Sequence, residues 1–229
     1  MTSRKLAGDA LVAELERRFV TINDDVRAGE HTINVIRPRS ADDLISEDDF
    51  ERDERLPYWA ELWPSSTVLA DFVVNDTRPR GRTIELGAGI GLVSIAAALA
   101  GHDVTATDYY EDALGFTRAN AYRNLGHEIA THLVDWRAVP ASLPRFDVVL
   151  ASDVLYESRY APLVASVIDR FLASRGVAYV ADPGRVAAGA FIEACADRGL
   201  CTGTAATRPY LAGKVRQTIM VYEVTRKDP

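Results

Sequence analysis

The chain has 229 residues, 48% of them hydrophobic and 26% charged, with a formal net charge of −7. That length suits one large α/β domain, or an ordinary domain carrying an N-terminal extension, and it can bury a core without metal or disulfide staples. The composition excludes global disorder, and the acidic balance argues against a general nucleic-acid binder. Cys195 and Cys201 lack metal-like spacing, which predicts a reducing, cytoplasmic compartment and inert packing roles for both. His31, His102, His127 and His132 are scattered, so no metal is assigned. The N-terminus has no apolar stretch of the secretory kind, and the longest nearly apolar run, residues 92–100, is too short to cross a bilayer.

Leu11, Leu15 and Phe19 recur at helical spacing and predict an amphipathic helix over residues 10–20. Residues 31–37 alternate as a strand does, and Pro38 ends them. Residues 40–55 carry eight carboxylates, which suit a solvated segment, or else a lid or a docking surface for a basic partner. Ser65 or Ser66 is then expected to cap a helix reaching Val74, with Val68, Leu69, Phe72 and Val73 on one face.

From Arg82 the pattern alternates strictly. Strands are expected over residues 83–86, 103–107, 129–134, 147–151 and 177–181, and helices over 92–100, 111–124, 161–173 and 187–199. Apolar strands alternating with helices, joined by right-handed crossovers, make an α/β fold: a doubly wound, mostly parallel sheet with helices on both faces. Residues 201–207 and 217–224 have no helix between them and predict a C-terminal antiparallel hairpin, joined through 208–213. Residues 1–80 thus form an extension packed on a core of residues 81–229.

The first core strand ends in Glu85-Leu86-Gly87-Ala88-Gly89-Ile90-Gly91 and feeds a helix. Glycines at such a turn let the backbone approach a ligand, and in open α/β sheets the ligand crevice lies at the carboxyl ends of the strands. The dinucleotide fingerprint needs a small residue at position 92, where this chain has Leu92. Glu85, a carboxylate beside the loop, suits a cation better than a pyrophosphate. S-adenosylmethionine carries a sulfonium, an amino group and a ribose, and Asp108 ends the second core strand where it can accept the ribose hydroxyls. A helix cap is the alternative role for Asp108.

Taken together, residues 82–224 resemble the seven-strand (class I) S-adenosylmethionine-dependent methyltransferases. A closer resemblance is to their protein lysine methyltransferase group, whose members act on valosin-containing protein, on chaperones and on the electron-transfer flavoprotein β-subunit. It is carried by Tyr58-Trp59-Ala60-Glu61-Leu62-Trp63-Pro64-Ser65, by Val134-Asp135-Trp136, and by the D-x-x-Y motif in Ser152-Asp153-Val154-Leu155-Tyr156-Glu157. Asp182-Pro183-Gly184-Arg185 is similar to the flavoprotein-modifying branch, whereas Asp153–Tyr156 is closer to the chaperone-modifying one. The resemblance implies a seven-stranded sheet whose last strand is antiparallel.

The expected cofactor-binding residues are Trp63, Glu85, Gly87, Ala88, Gly89, Gly91, Asp108, Asp135, Trp136 and Ser152. Asp135 can accept from the adenine amino group and Trp136 offers a flat face, or packs against a helix instead. Trp63 reads as a wall of the methionine side or as core. Asp153 and Tyr156 are the candidate catalytic residues: Asp153 would orient the attacking amine, and Tyr156 would form one side of an aromatic slot. The alternative makes Asp153 an N-cap and Tyr156 a half-buried aromatic. The expected acceptor is a basic or lysine-containing protein segment. The rivals are a small-molecule amine and a non-catalytic cofactor-binding module. No general nucleic-acid binding and no membrane association are expected.

Overall fold

A computed structural model describes residues 8–44 and 56–227. Most of the acidic segment, and with it the expected lid or docking surface, lies outside the described residues.

The chain opens with helix α1 (Gly8–Arg18), which buries Leu15, and a two-stranded sheet of β1 (Thr21–Ala28) and β2 (His31–Pro38). β1 is absent from the sequence expectation. Its Asn23-Asp24-Asp25 run has low strand propensity, yet it pairs with β2 along its whole length, from Thr21 opposite Pro38 to Ala28 opposite His31. Helix α2 (Pro64–Asn75) starts two residues earlier than a Ser65 cap would place it. Trp63 is the N-cap, Pro64 opens the helix, and no side chain caps it. Proline supplies the start itself, because its φ is fixed and its missing N–H has no partner to lose at that position.

The core follows as β3 (Arg82–Leu86), α3 (Leu92–Leu99), β4 (Asp103–Asp108), α4 (Glu111–Leu125), β5 (Ala130–Leu133), β6 (Phe146–Ser152), α5 (Ala161–Phe171), β7 (Leu172–Asp182), α6 (Ala187–Asp197), β8 (Leu200–Ala212) and β9 (Val215–Arg226). The seven strands run in the order β5-β4-β3-β6-β7-β9-β8, parallel except that β9 is antiparallel to both its neighbours. Strand alternation divides the core between the two faces. Val104, Ala106, Val148 and Leu150 pack under α3 and α4, while Ile84, Leu86, Val149 and Ala151 pack against α5 and α6.

Two differences in boundary are the largest. α5 ends at Phe171, so Leu172 already pairs with Phe146 as strand. The terminal hairpin is longer than its pattern suggests. Residues 208–212 belong to β8, and only Gly213 and Lys214 make the turn, with Gly213 at φ 55°. Pro209 reads as a breaker but is tolerated because β8 is the edge strand. The cysteines also separate: Cys195 is buried on α6, whereas Cys201, at the start of that edge strand, is exposed rather than packed.

Two side chains of α4 fasten β2 to the core. Asn120, fully buried, accepts the Ile36 N–H (2.8 Å) and donates to the carbonyls of Ile36 and Ile90 (2.9 Å each). One turn later Asn124 accepts the Asn34 N–H (2.9 Å) and donates to its carbonyl (2.7 Å). The edge of β2 is thus satisfied by amide side chains where a further strand would otherwise pair.

Candidate active site

β3 has β4 on one side and β6 on the other, so the switch point of the sheet falls between β3 and β6. A cavity of about 290 Å³ opens there, at the carboxyl ends of the strands.

One side of the cavity is the glycine turn. Ala88 N–H donates to the Thr107 carbonyl (2.9 Å), Gly89 N–H donates to Asp108 Oδ2 (2.9 Å), and Thr117 Oγ1 donates to the Gly89 carbonyl (2.9 Å). Gly89 has φ 55°, and a Cβ there would stand 3.0 Å from the Trp59 carbonyl oxygen. Gly91, at φ 87°, begins α3 where a Cβ would press to 2.9 Å from Thr117. Its role is helix-to-helix approach, and it is not among the lining residues.

Glu85 points to the α3 face because its neighbours Ile84 and Leu86 point to the other. It is 1% exposed and accepts the Ser94 hydroxyl proton. Burial pushes its carboxyl up to about 8, against the pull of that hydrogen bond, and the nearby Asp108 adds to the rise. Asp108 also accepts the Tyr110 N–H (3.0 Å). It therefore braces the loop from two sides and does not cap α4, whose N-cap is Tyr110 with no side-chain cap bond.

The other side of the cavity is the end of β6. Asp153 has φ 57°, the only positive φ at a non-glycine residue among the described residues. Its N–H donates to the Ala181 carbonyl (2.9 Å), and its carboxylate receives Arg185 Nε (2.8 Å) and Arg185 Nη2. It caps no helix, since Tyr160 is the N-cap of α5. Tyr156 stands 5.4 Å from Tyr58 and 5.0 Å from Tyr160, and Tyr58 stands 5.8 Å from Trp63. Trp63 is fixed by its indole N–H on the Tyr58 carbonyl (2.9 Å). Trp136 closes the aromatic row, 6.2 Å from Tyr160, and packs against the α5 core as well.

The structure thus brings Trp63, Glu85, Gly87, Ala88, Gly89, Asp108, Trp136, Ser152, Asp153 and Tyr156 into one lining. It does not bring Asp135 there. That carboxylate is gripped by Arg137 through Nε (3.0 Å) and Nη2 (2.8 Å), and takes the Arg137 N–H as well. Sequence reasoning missed Ser94, and missed Arg185 as a site residue. The spacing of Ser94, nine positions after Glu85 in a helix that is otherwise apolar, was the available sign. For Arg185 the sign was its place after β7, the strand beside β6.

A family model described as lysine methyltransferase matches residues 49–195. The protein-lysine methyltransferase METTL21E of Bos taurus is 41% identical over 113 residues, 43% of this chain and 38% of that protein. EEF1A lysine methyltransferase 3 of Mus musculus is 33% identical over 141 residues, 59% of this chain and 60% of that protein. The chain spans about half the length of the curated relatives it matches. Among solved structures, the magnesium protoporphyrin IX methyltransferase of Synechocystis PCC 6803 with bound SAM aligns at a TM-score of 0.58 and 18% identity, over 81% of this chain and 94% of that one. That likeness establishes a shared fold. With the family model matching well over half of its residues, the chain belongs to the lysine methyltransferase family.

Proposed function

We propose that the protein transfers a methyl group from S-adenosylmethionine to the amine of a lysine side chain in a protein. The observation that carries this reading is the meeting, in one cavity, of a tight glycine turn, a buried carboxyl beneath it and a carboxylate flanked by aromatic rings. The names of the relatives support it.

The turn suits an adenosyl cofactor because Gly89 leaves no room for a Cβ, so a ligand meets backbone there. Gly87, Ala88, Gly89 and Asp108 would hold it on the glycine side, Glu85 from beneath, Trp63 and Ser152 near the β6 end, and Trp136 beside the purine. Gly91 and Asp135 would act from outside the lining, Gly91 by seating α3 and Asp135 by fixing the turn before Trp136. When bound, the cofactor supplies a methyl group on a sulfonium, whose departure as a neutral thioether needs no acid. The protein's task is therefore positioning. Asp153 accepts a hydrogen bond from the neutral acceptor amine and stays close as that nitrogen becomes an ammonium. Tyr156 and Tyr58 present ring faces and edges that guide an aliphatic stem and favour a cation.

We further read residues 1–80 as an extension on the core 81–229, since β1 and β2 form their own sheet but share the apolar cluster of α3 and α4. No helix of the described residues is long and apolar enough to cross a membrane. Two free thiols, one of them exposed, suit the cytoplasm. The test is radiolabelled S-adenosylmethionine, the purified protein and a lysate of cells lacking it. Label in a protein band, located on lysine by mass spectrometry, is the expected result. Label confined to metabolite-sized species would overturn the protein substrate.

A further inference from the structure

Resting on that reading, we propose that Arg185 is a positioning residue that clamps Asp153 by one oxygen and so presents the other to the acceptor amine. Arg185 Nε and Nη2 both donate to Asp153 Oδ1, and no described residue donates to Oδ2. The clamp is itself held. Asp182, at the end of β7, accepts the N–H groups of Gly184 and Arg185 through one oxygen, each at 2.7 Å. The guanidinium lies 5.8 Å from the centre of the Trp63 ring. Asp153 carries a left-handed backbone, unusual for a non-glycine residue, and such a conformation persists where the surroundings fix it.

Charge gives the clamp a second consequence. Arg185 is the only lysine or arginine among the described residues that line the cavity. Of the lining carboxyls, Glu61 is paired with Arg37 (3.1 Å) and Glu157 with Arg159 (2.7 Å), and burial favours the neutral form of Glu85, whereas the partner of Asp153 is Arg185. Tyr58, Tyr109, Tyr110, Tyr156 and Tyr160 also line it, and Asp182 lies behind Arg185. An acceptor ammonium entering beside an uncompensated Asp153 would be stabilised in its protonated, unreactive form. The guanidinium compensates Asp153, the carboxylate nearest the acceptor, and makes it a hydrogen-bond acceptor of fixed direction rather than an open ion-pair partner.

The test is the pH dependence of kcat for label transfer into the lysate protein, with cofactor affinity measured by calorimetry, in full-length R185Q and R185K. R185Q is expected to lose about tenfold or more in kcat near neutral pH. Its half-maximal pH should move up by about one unit, because the acceptor amine holds its proton longer beside an uncompensated carboxylate. R185K keeps the charge but not the two-pronged donor, so it should hold the wild-type midpoint and recover part of the rate. Cofactor affinity should stay within a few-fold throughout. A wild-type midpoint in R185Q, at any rate, would overturn the role. Should R185Q not fold, the double variant D153N/R185Q has no carboxylate to strand and is expected to match D153N in rate and midpoint. A further drop there would count equally against Arg185 acting through Asp153. If wild-type protein binds cofactor but labels no lysine, the lysine reading falls, and this inference with it. Normal wild-type labelling with an unmoved R185Q midpoint sinks this inference alone.

Discussion

The two sides of the cavity are built by different means. The glycine side is held by backbone and neutral groups: Ala88 on Thr107, Thr117 on Gly89, and Asn120 on Ile90, with Asp108 drawn into the loop. On the β6 side ion pairs take a larger part: Asp153, at a positive φ, with Arg185, and Glu157 with Arg159. On the proposed function, the surface for a cofactor that always sits the same way is assembled chiefly from main-chain and neutral side-chain hydrogen bonds. The surface proposed to meet an incoming lysine uses charges, whose strength depends on what else is present. Breaking the first side should therefore abolish cofactor binding, and breaking the second should spare it.

The largest effect is expected from Gly89→Val. A β-branched residue at φ 55°, with its Cβ 3.0 Å from the Trp59 carbonyl, must shift the turn. Calorimetry should find no measurable cofactor binding. Retained affinity would mean that the turn is not where the cofactor meets the backbone.

Next comes Asn120→Ala, which strands the Ile36 N–H and the carbonyls of Ile36 and Ile90 in the interior. Unpaired buried groups cost about 1–3 kcal/mol each, part of it recovered by relaxation, so denaturant unfolding should show a loss of about 2–4 kcal/mol. A loss under about 0.5 kcal/mol would show that the β1–β2 sheet is not fastened through this residue.

A smaller effect, and one with a pH signature, is expected from Glu85→Gln. The Glu85 carboxyl titrates at about 8 in the folded chain against 4.5 for the free group. Above pH 4.5 the unfolded chain ionises while the folded one does not. Wild-type stability at this site therefore drains away as pH rises, until the folded carboxyl ionises too near 8. Gln keeps an oxygen for Ser94 and has nothing to ionise. Its melting temperature should match wild type near pH 4.5 and exceed it increasingly toward pH 8. A constant offset across that range would place the carboxyl's titration elsewhere.

The same contrast decides what could be read from the sequence. The glycine side was legible because its chemistry is contiguous: Glu85 through Gly91 is one stretch, and Asp108 ends the next strand. The β6 side was half legible. Asp153 and Tyr156 share a motif, but Arg185 stands 32 residues away and reaches Asp153 only because β6 and β7 are neighbours in the sheet. Asp135 lies outside the lining for a local reason. Its partner, Arg137, is two residues away, and the pair forms within one turn. Two of the stretches missed, β1 and the outer half of β8, lie at sheet edges, where Asn, Asp and Pro are compatible with pairing and propensity says least.

The most direct test of the division between the two sides is Asp153→Asn, measured twice on one preparation. Calorimetry gives the affinity for S-adenosylmethionine, and single-turnover label transfer gives the rate of methylation. Asparagine keeps the size of the side chain and tolerates the left-handed backbone, so folding is not at issue. The account predicts a cofactor dissociation constant within a few-fold of wild type and a transfer rate lowered by about a hundredfold or more. A rate equal to wild type, or a loss of affinity as large as the loss of rate, would contradict it.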